Sequence, residues 1–341
     1  MNNSKERLSG INFARSICTI GIIIFHYFCY TKGSFKFLFL TANSSWGFMH
    51  VTSFYAISGT VLYYNYPKIK SLKTFYFKRW KSIFPFYYIS FLFFFIRNAF
   101  KFNKLFYNGH WSKLIFTLFG MDGFFCYRFS TYNLVGEWFL GSIIILYILY
   151  PLLSFLMNKN ILIIHFMACA GYSFMILTNF FIIENAKNII TCIYSFYFGM
   201  LSLKFSNLFF KNKKTFIISF FILVFLCLIR LTDSEFILIV QTQGFSLFIV
   251  LVQIGEFIML TRIKFFIKEI RILSYCIFLL HHNIILDILK IYNPDKWYLH
   301  LILLVITIIS IILCSKILFF VVNIILKSYC FKKIESMFIK A

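Results

Sequence analysis

Charged side chains are scarce in this sequence, and acidic ones are the scarcest. Asp, Glu, Lys and Arg together make up 13% of the 341 residues, which is about half of their usual share in soluble domains. Because 61% of the residues are apolar, too few polar side chains remain to cover the surface of a soluble protein. The same composition excludes a disordered chain, a collagen and a disulfide scaffold.

Paired cysteine motifs are also missing. The nine cysteines include no C-x-x-C spacing and lie mostly within apolar runs. We therefore interpret them as small buried hydrophobic residues, and we expect neither a disulfide framework nor a zinc-binding one.

The apolar residues form long continuous runs and do not alternate with polar ones, which favours membrane-spanning helices over a lipid-facing β-barrel. Since a bilayer core needs about 20 apolar residues per helix, the sequence predicts an all-α fold, a single polytopic transmembrane bundle over residues 1–341 with about ten spans. The predicted spans are 11–31, 43–66, 83–100, 133–157, 161–183, 188–205, 215–232, 236–260, 272–292 and 298–327. The segment 101–132 contains only a short apolar stretch, 114–119, which predicts an interfacial or re-entrant piece.

Basic residues dominate the charge, with 34 Lys and Arg against 11 Asp and Glu. They lie mostly between the apolar runs, which is typical of membrane topology determinants, and we expect no nucleic-acid partner. Counting them on alternate sides of the spans places 21 on one side and 11 on the other, and the remaining two, Arg15 and Lys316, lie within spans. The larger group predicts that both termini are cytoplasmic. Tracts rich in Lys, Asn, Ile and Phe indicate an AT-rich, bacterial genome, so the expected location is the inner or plasma membrane.

The first predicted span carries a stripe of polar residues. Arg15 and His26 are 11 residues apart, which at 100° per residue places them on one helix face, about 16 Å apart along the axis. Asn12 and Thr19 fall within about 60° of that face. Lipid cannot satisfy such a stripe, so it must face protein or water. Arg15 would bind an anionic group such as phosphate, and His26 would act as a general base. The alternatives are an arginine that snorkels to the interface and a histidine bonded within the core.

Five short motifs occur in a fixed order along the chain. They are Arg15-x10-His26, Ser53-Phe-Tyr-Ala-Ile-Ser58-Gly59, Phe77-Lys78-Arg79 continuing to Tyr87, Gly136-Glu137-Trp138-Phe139-Leu140 continuing to Pro151, and Leu273-Ser274-Tyr275 continuing to His281. In this order they resemble the acyltransferase-3 family of membrane acyltransferases, which includes bacterial O-acetyltransferases of surface polysaccharides. The resemblance implies transfer of an acyl group, commonly acetyl, from acyl-CoA to a hydroxyl that is often on a sugar.

The chain departs from the family pattern at four positions. Asn12 stands where Asp is usual, Ser82 where a second Arg is usual, Ile143 where many members have Glu, and Phe278 where Tyr is usual. Asn12 keeps a hydrogen-bonding partner for Arg15 but loses a charge. Lys78 and Lys81 supply charge near Ser82 without the bidentate geometry of arginine.

By this resemblance, the CoA phosphates would meet Arg15 together with Lys78, Arg79 and Lys81. His26 would deprotonate the acceptor hydroxyl, or it would carry the acyl group itself as an acyl-histidine. Glu137 would orient an imidazole or bind a sugar hydroxyl, and the alternative is a solvated carboxylate at a helix start.

Five further residues are predicted to support the site: Ser58, Trp138, Ser274, Tyr275 and His281. Ser58 with Gly59 is also typical of close helix packing, and Trp138 of an aromatic belt at the membrane interface. Ser274 and His281 share a face, whereas we expect His282 to point elsewhere.

No metal site is predicted, because His50, His110, His165 and His300 show no ligand spacing. The composition and the family resemblance together predict three partners: the lipid bilayer, acyl-CoA and a glycan or glycolipid acceptor. Two other functions stay open, a transporter or flippase of a lipid-linked saccharide and a non-catalytic scaffold. The sequence has only four prolines and shows no matching pair of broken helices, which disfavours a transporter.

Overall fold

The computed structural model describes residues 9–31, 46–178, 180–228, 236–258 and 264–339. These residues are mainly helical, and none of them forms a strand. The long helices are α1 (Ser9–Tyr30), α2 (Trp46–Asn65), α3 (Leu72–Phe102), α4 (Glu137–Lys159), α5 (Ile161–Leu177), α6 (Ile189–Lys204), α7 (Lys213–Leu228), α8 (Phe236–Ile258), α9 (Lys264–Ile291), α10 (Trp297–Lys327) and α11 (Tyr329–Ile339).

Each predicted span coincides with one of the helices α1 to α10. Among the described residues, six helices are long and apolar enough to cross a membrane, namely α1, α3, α4, α8, α9 and α10. Two others, α5 and α6, are apolar but shorter. A multi-pass membrane protein is thus confirmed, whereas the count of ten spans and the cytoplasmic termini stay predictions. Lys5 and Arg7, which support a cytoplasmic N-terminus, lie outside the described residues.

Helix α1 lies at the centre of the bundle, between α2, α8 and α9. A glycine permits the approach of α8, since a Cβ on Gly10 would lie 2.1 Å from the carbonyl oxygen of Val252. On the α9 side, the buried Ser16 hydroxyl donates a hydrogen bond of 2.9 Å to the carbonyl oxygen of Ile267. These contacts fix the rotation of α1, and with it the direction of its polar stripe.

Helices α2 and α6 cross at a pair of glycines. A Cβ on Gly59 would lie 2.0 Å from the carbonyl oxygen of Phe196, and one on Gly199 would lie 1.9 Å from that of Ala56. The Thr60 hydroxyl donates a 2.8 Å hydrogen bond to the carbonyl oxygen of Gly199 across this crossing. Close helix packing, one of the two interpretations of the Ser58-Gly59 pair, therefore describes Gly59.

The segment between α3 and α4 contains short helices, among them Leu114–Leu118 and Asp122–Phe125. Neither is long enough to span a bilayer, as predicted for the apolar stretch here. Asp122 anchors the segment, because it is buried and accepts hydrogen bonds from Thr117 (2.7 Å) and Tyr87 (3.3 Å). Burial raises the pKa of Asp122 to about 6, although both hydrogen bonds lower it.

Helix α11 packs against the N-terminal part of α3. The Lys81 ammonium pairs with Glu335 at 2.7 Å, and the rings of Phe77 and Phe338 stack with centroids 4.7 Å apart. The basic segment that opens the third predicted span is therefore partly covered by α11.

Candidate functional site

A cavity of about 610 Å³ lies between α1, α2, α3, α4 and α9. Helix α1 contributes Arg15, Thr19, Ile22, Ile23, Phe25 and His26 to its lining. Arg15 and His26 thus face the same space, as their spacing predicts, and they stand at its two ends. We call these the arginine end and the histidine end.

The arginine end holds two guanidinium groups, because Arg79 on α3 lines the cavity together with Arg15. The guanidinium of Arg79 lies 5.8 Å from the ring centre of Tyr147, and its Nη2 donates a 3.4 Å hydrogen bond to the Tyr66 hydroxyl. Its Nε is buried without a hydrogen-bond partner among the described residues. Ser82 lines the same end and is exposed. This end therefore offers an unsatisfied guanidinium nitrogen of Arg79 near the exposed Ser82.

Three residues predicted to accompany these arginines lie outside the lining. Lys78 is exposed on the outer side of α3, and Lys81 pairs with Glu335 of α11. Asn12 is half-buried, and its backbone carbonyl accepts a hydrogen bond from Ser16. Of the basic segment on α3, only Arg79 reaches the cavity, because Lys78 and Lys81 flank it on other faces of the helix.

The histidine end brings three imidazoles together. The ring centroid of His26 lies 3.9 Å from that of His282 and 5.2 Å from that of His281. One ring nitrogen from each residue lies within 4.8 Å of the others. The expectation that His282 points elsewhere is wrong, because α1 packs against α9 so that His26 contacts two neighbouring positions of that helix.

Hydrogen bonds fix both imidazoles of α9. Nδ1 of His281 donates to the carbonyl oxygens of Phe278 (2.8 Å) and Ile277 (3.1 Å), so its Nε2 carries the lone pair. That Nε2 is buried and has no hydrogen-bond partner among the described residues. Nδ1 of His282 lies 2.7 Å from the Tyr30 hydroxyl, and its Nε2 contacts Oε1 of Glu137. The rings are therefore held through Nδ1, and both Nε2 atoms belong to the histidine end.

Glu137 is the first residue of α4 and lines the cavity. Its φ of 34° lies in the left-handed region, directly after Gly136 at 83°, which is a strained conformation for a side chain with a Cβ. Gly123 permits this path, since a Cβ there would lie 1.9 Å from the carbonyl carbon of Glu137. The carboxylate contacts His282 and is half-buried, so it is not a fully solvated group at a helix start.

The lining between the two ends is apolar and aromatic. It includes Ile22, Phe54, Trp138, Phe139 and Phe278. Trp138 therefore lies in the cavity wall, although its position near a span boundary is also typical of an aromatic belt. The predicted supporting residues Ser58, Ser274, Tyr275 and His281 line the cavity as well.

Sequence reasoning missed two residues of the histidine end, His282 and Lys187. Lys187 precedes α6, lines the cavity and pairs with Glu184 at 2.7 Å. Its ammonium lies 5.7 Å from the ring centre of Phe48. No motif in the sequence indicates Lys187. His282, in contrast, is adjacent in sequence to His281, which is a predicted supporting residue.

A sequence profile that describes an acyltransferase domain matches residues 8–319, which is most of the chain. The chain belongs to the acyltransferase-3 family. A comparison with curated proteins and a comparison with solved structures give no match. Every residue of the cavity lining, from Arg15 to His281, falls within the acyltransferase domain. The cavity of this chain thus lies within its acyltransferase domain.

Proposed function

We propose that this membrane acyltransferase moves an acyl group, most simply acetyl, from acyl-CoA to a sugar hydroxyl. The acceptor is a cell-surface glycan or its lipid-linked precursor. One observation carries the proposal, the placement of Arg15 and His26 at opposite ends of one cavity. A donor with an anionic head and a reactive thioester at the end of a long arm requires such a separation.

The arginine end is suited to the phosphates of CoA. Guanidinium groups bind phosphate oxygens through charge-assisted hydrogen bonds, often in pairs. Arg15 and Arg79 both line this end, and Nε of Arg79 has no partner among the described residues. The pantetheine arm would then pass the apolar middle of the cavity and bring the thioester to the histidine end.

His26 is the proposed general base at the histidine end. It takes the proton of the acceptor hydroxyl, and the oxygen attacks the thioester carbonyl. The carbon–sulfur bond then breaks, and the CoA sulfur leaves with a proton returned by the imidazolium. The Glu137 carboxylate lies close enough to stabilise the positive charge that His26 carries between these two steps.

The test is acyl transfer from radiolabelled acetyl-CoA to glycan by membranes that carry the protein. Substitution of His26→Ala is expected to lower the transfer rate by about 10²–10⁴-fold, the usual contribution of general-base catalysis. His165→Ala is the matched control, because His165 is exposed and bonded to Tyr197 at 3.1 Å, away from the cavity. Equal rates for both variants would refute the role of His26, and movement of unlabelled glycan across the membrane would indicate a flippase.

A second measurement separates direct transfer from an acyl-histidine intermediate. The purified protein is incubated with labelled acetyl-CoA and without an acceptor, and is then quenched. Direct transfer predicts no labelled protein, whereas label on the peptide that contains His26 would show the covalent route.

A further inference from the structure

The histidine end contains more nitrogen ligands than one general base needs. Among the described residues, His26, His281 and His282 are the group whose ligand atoms lie within 4.8 Å of one another. His281 is only 1% exposed, and its Nε2 has no hydrogen-bond partner among the described residues. A buried acceptor of this kind requires a partner, such as a water molecule or an ion.

The surroundings of these rings match the outer shell of a metal site. Histidines that bind a metal through one nitrogen usually donate the other to a carbonyl, carboxylate or hydroxyl. Nδ1 of His281 donates to the carbonyl oxygen of Phe278, and Nδ1 of His282 is bonded to Tyr30. Both rings therefore present Nε2 to the same space.

Charge and access also favour a cation. Glu137 contacts Nε2 of His282 and supplies a carboxylate oxygen beside the three nitrogens. His26, His281 and Glu137 all line the cavity, and the Glu137 side chain is 32% exposed, so an ion reaches them at the histidine end without crossing the apolar middle. Imidazole nitrogens with one carboxylate are a donor set that suits zinc and related divalent transition metals.

We propose that His26, His281 and His282, together with Glu137, form a binding site for a divalent transition-metal ion of the zinc class. Zinc–nitrogen distances of about 2.0–2.1 Å require nitrogens roughly 3.4 Å apart, so side-chain rotations of His26 and His282 close the site. An ion there occupies the lone pair with which His26 would act as base. Zinc therefore inhibits acyl transfer, and this consequence rests on the proposed function.

The experiment measures zinc binding directly. The purified protein in detergent is freed of metal with a chelator and titrated with Zn²⁺ by calorimetry. After gel filtration, the amount of zinc bound per chain is measured. We expect one tightly bound ion per chain. His282→Ala is expected to weaken binding by at least about tenfold, because even outer-shell partners of metal ligands contribute 10–100-fold. His110→Ala is the control, since His110 is exposed and bonded to Ser112.

A spectrum of the unmodified protein keeps the test independent of variants that fail to fold. Co²⁺ in the site is expected to give the intense visible bands of a four-coordinate ion. Weak octahedral bands, or zinc affinity equal in the His282→Ala and His110→Ala proteins, would overturn the proposal.

The transfer assay then tests the consequence. Inhibition by Zn²⁺ that a chelator reverses, and that His282→Ala relieves, supports a shared His26. Stoichiometric zinc with undiminished transfer would overturn the role of His26 as a ligand. If the protein transferred no acyl group at all, the proposed function would fail, while the binding and spectral results would still decide the metal site.

Discussion

Glu137 and His282 meet at the histidine end of the cavity, although they belong to different helices and are 145 positions apart in the sequence. The contact joins the first residue of α4 to the middle of α9. It places one negative charge beside His282, and we propose Glu137 as the acid partner that the family pattern left open.

Substitution of Glu137→Gln is expected to lower kcat and to leave the KM for acyl-CoA unchanged. In the proposed mechanism, Glu137 orients the imidazoles of the histidine end and balances the positive charge that His26 gains. The phosphates of acyl-CoA are proposed to bind at the arginine end. A displacement of about 1 Å in a reacting group costs about 10²-fold in rate. Steady-state kinetics with varied acetyl-CoA measures both constants. Glu269→Gln is the control, since Glu269 is exposed and pairs with Lys316, and an equal loss in both variants would contradict the role.

Arg79→Ala and Lys78→Ala form a matched pair of variants. They remove neighbouring positive charges from α3, but only Arg79 lines the cavity. A hydrogen bond between charged groups contributes about 1.5–3 kcal/mol, so Arg79→Ala is expected to raise the KM for acyl-CoA by about 10–100-fold. Lys78→Ala is expected to leave it unchanged within about twofold. Equal increases would indicate that the basic surface of α3, and not the cavity, recruits the donor.

Gly59→Ala is expected to destabilise the protein, because the new Cβ would collide with the backbone of Phe196. Overpacking of this kind costs about 1–3 kcal/mol. Gly171→Ala is the control, since the nearest atom to its Cβ, on Ile190, would be 3.7 Å away. Thermal unfolding in detergent compares the two variants, and a lowered midpoint for Gly171→Ala alone would contradict the crossing described for α2 and α6.

Asp122 makes the stability of the protein depend on pH. The pKa of Asp122 is about 6 in the folded protein, above its ordinary value of 3.8, so the folded state favours the protonated acid. The stabilisation is complete below pH 3.8 and is lost as the pH rises to about 6. Asp122→Asn is expected to remove this loss, and above pH 6 to be the more stable form by about 1–3 kcal/mol.

Melting temperatures between pH 4 and pH 7 test this expectation. Asp287→Asn is the control, because Asp287 is largely exposed and pairs with Arg97. A parallel pH dependence in the wild-type and Asp122→Asn proteins would show that another group titrates.

The helices and the face shared by Arg15 and His26 were predictable, because helical periodicity is a property of one segment of sequence. The partners of that face were not. That both His281 and His282 contact α1 depends on how α9 is rotated against it. That rotation is set by contacts such as Ser16 with the backbone of Ile267. Likewise, the sequence does not distinguish the three neighbouring positive charges of Lys78, Arg79 and Lys81. The packing of α3 and α11 decides which of them reaches the cavity.

The apolar middle of the cavity has a consequence for the passage of ions and protons. Between Thr19 and His26, helix α1 contributes Ile22, Ile23 and Phe25 to the lining. A bare ion or a chain of water molecules gains nothing in such a passage and pays the full cost of dehydration. Unless the arm of a substrate fills it, this stretch therefore resists the passage of ions and protons along the cavity.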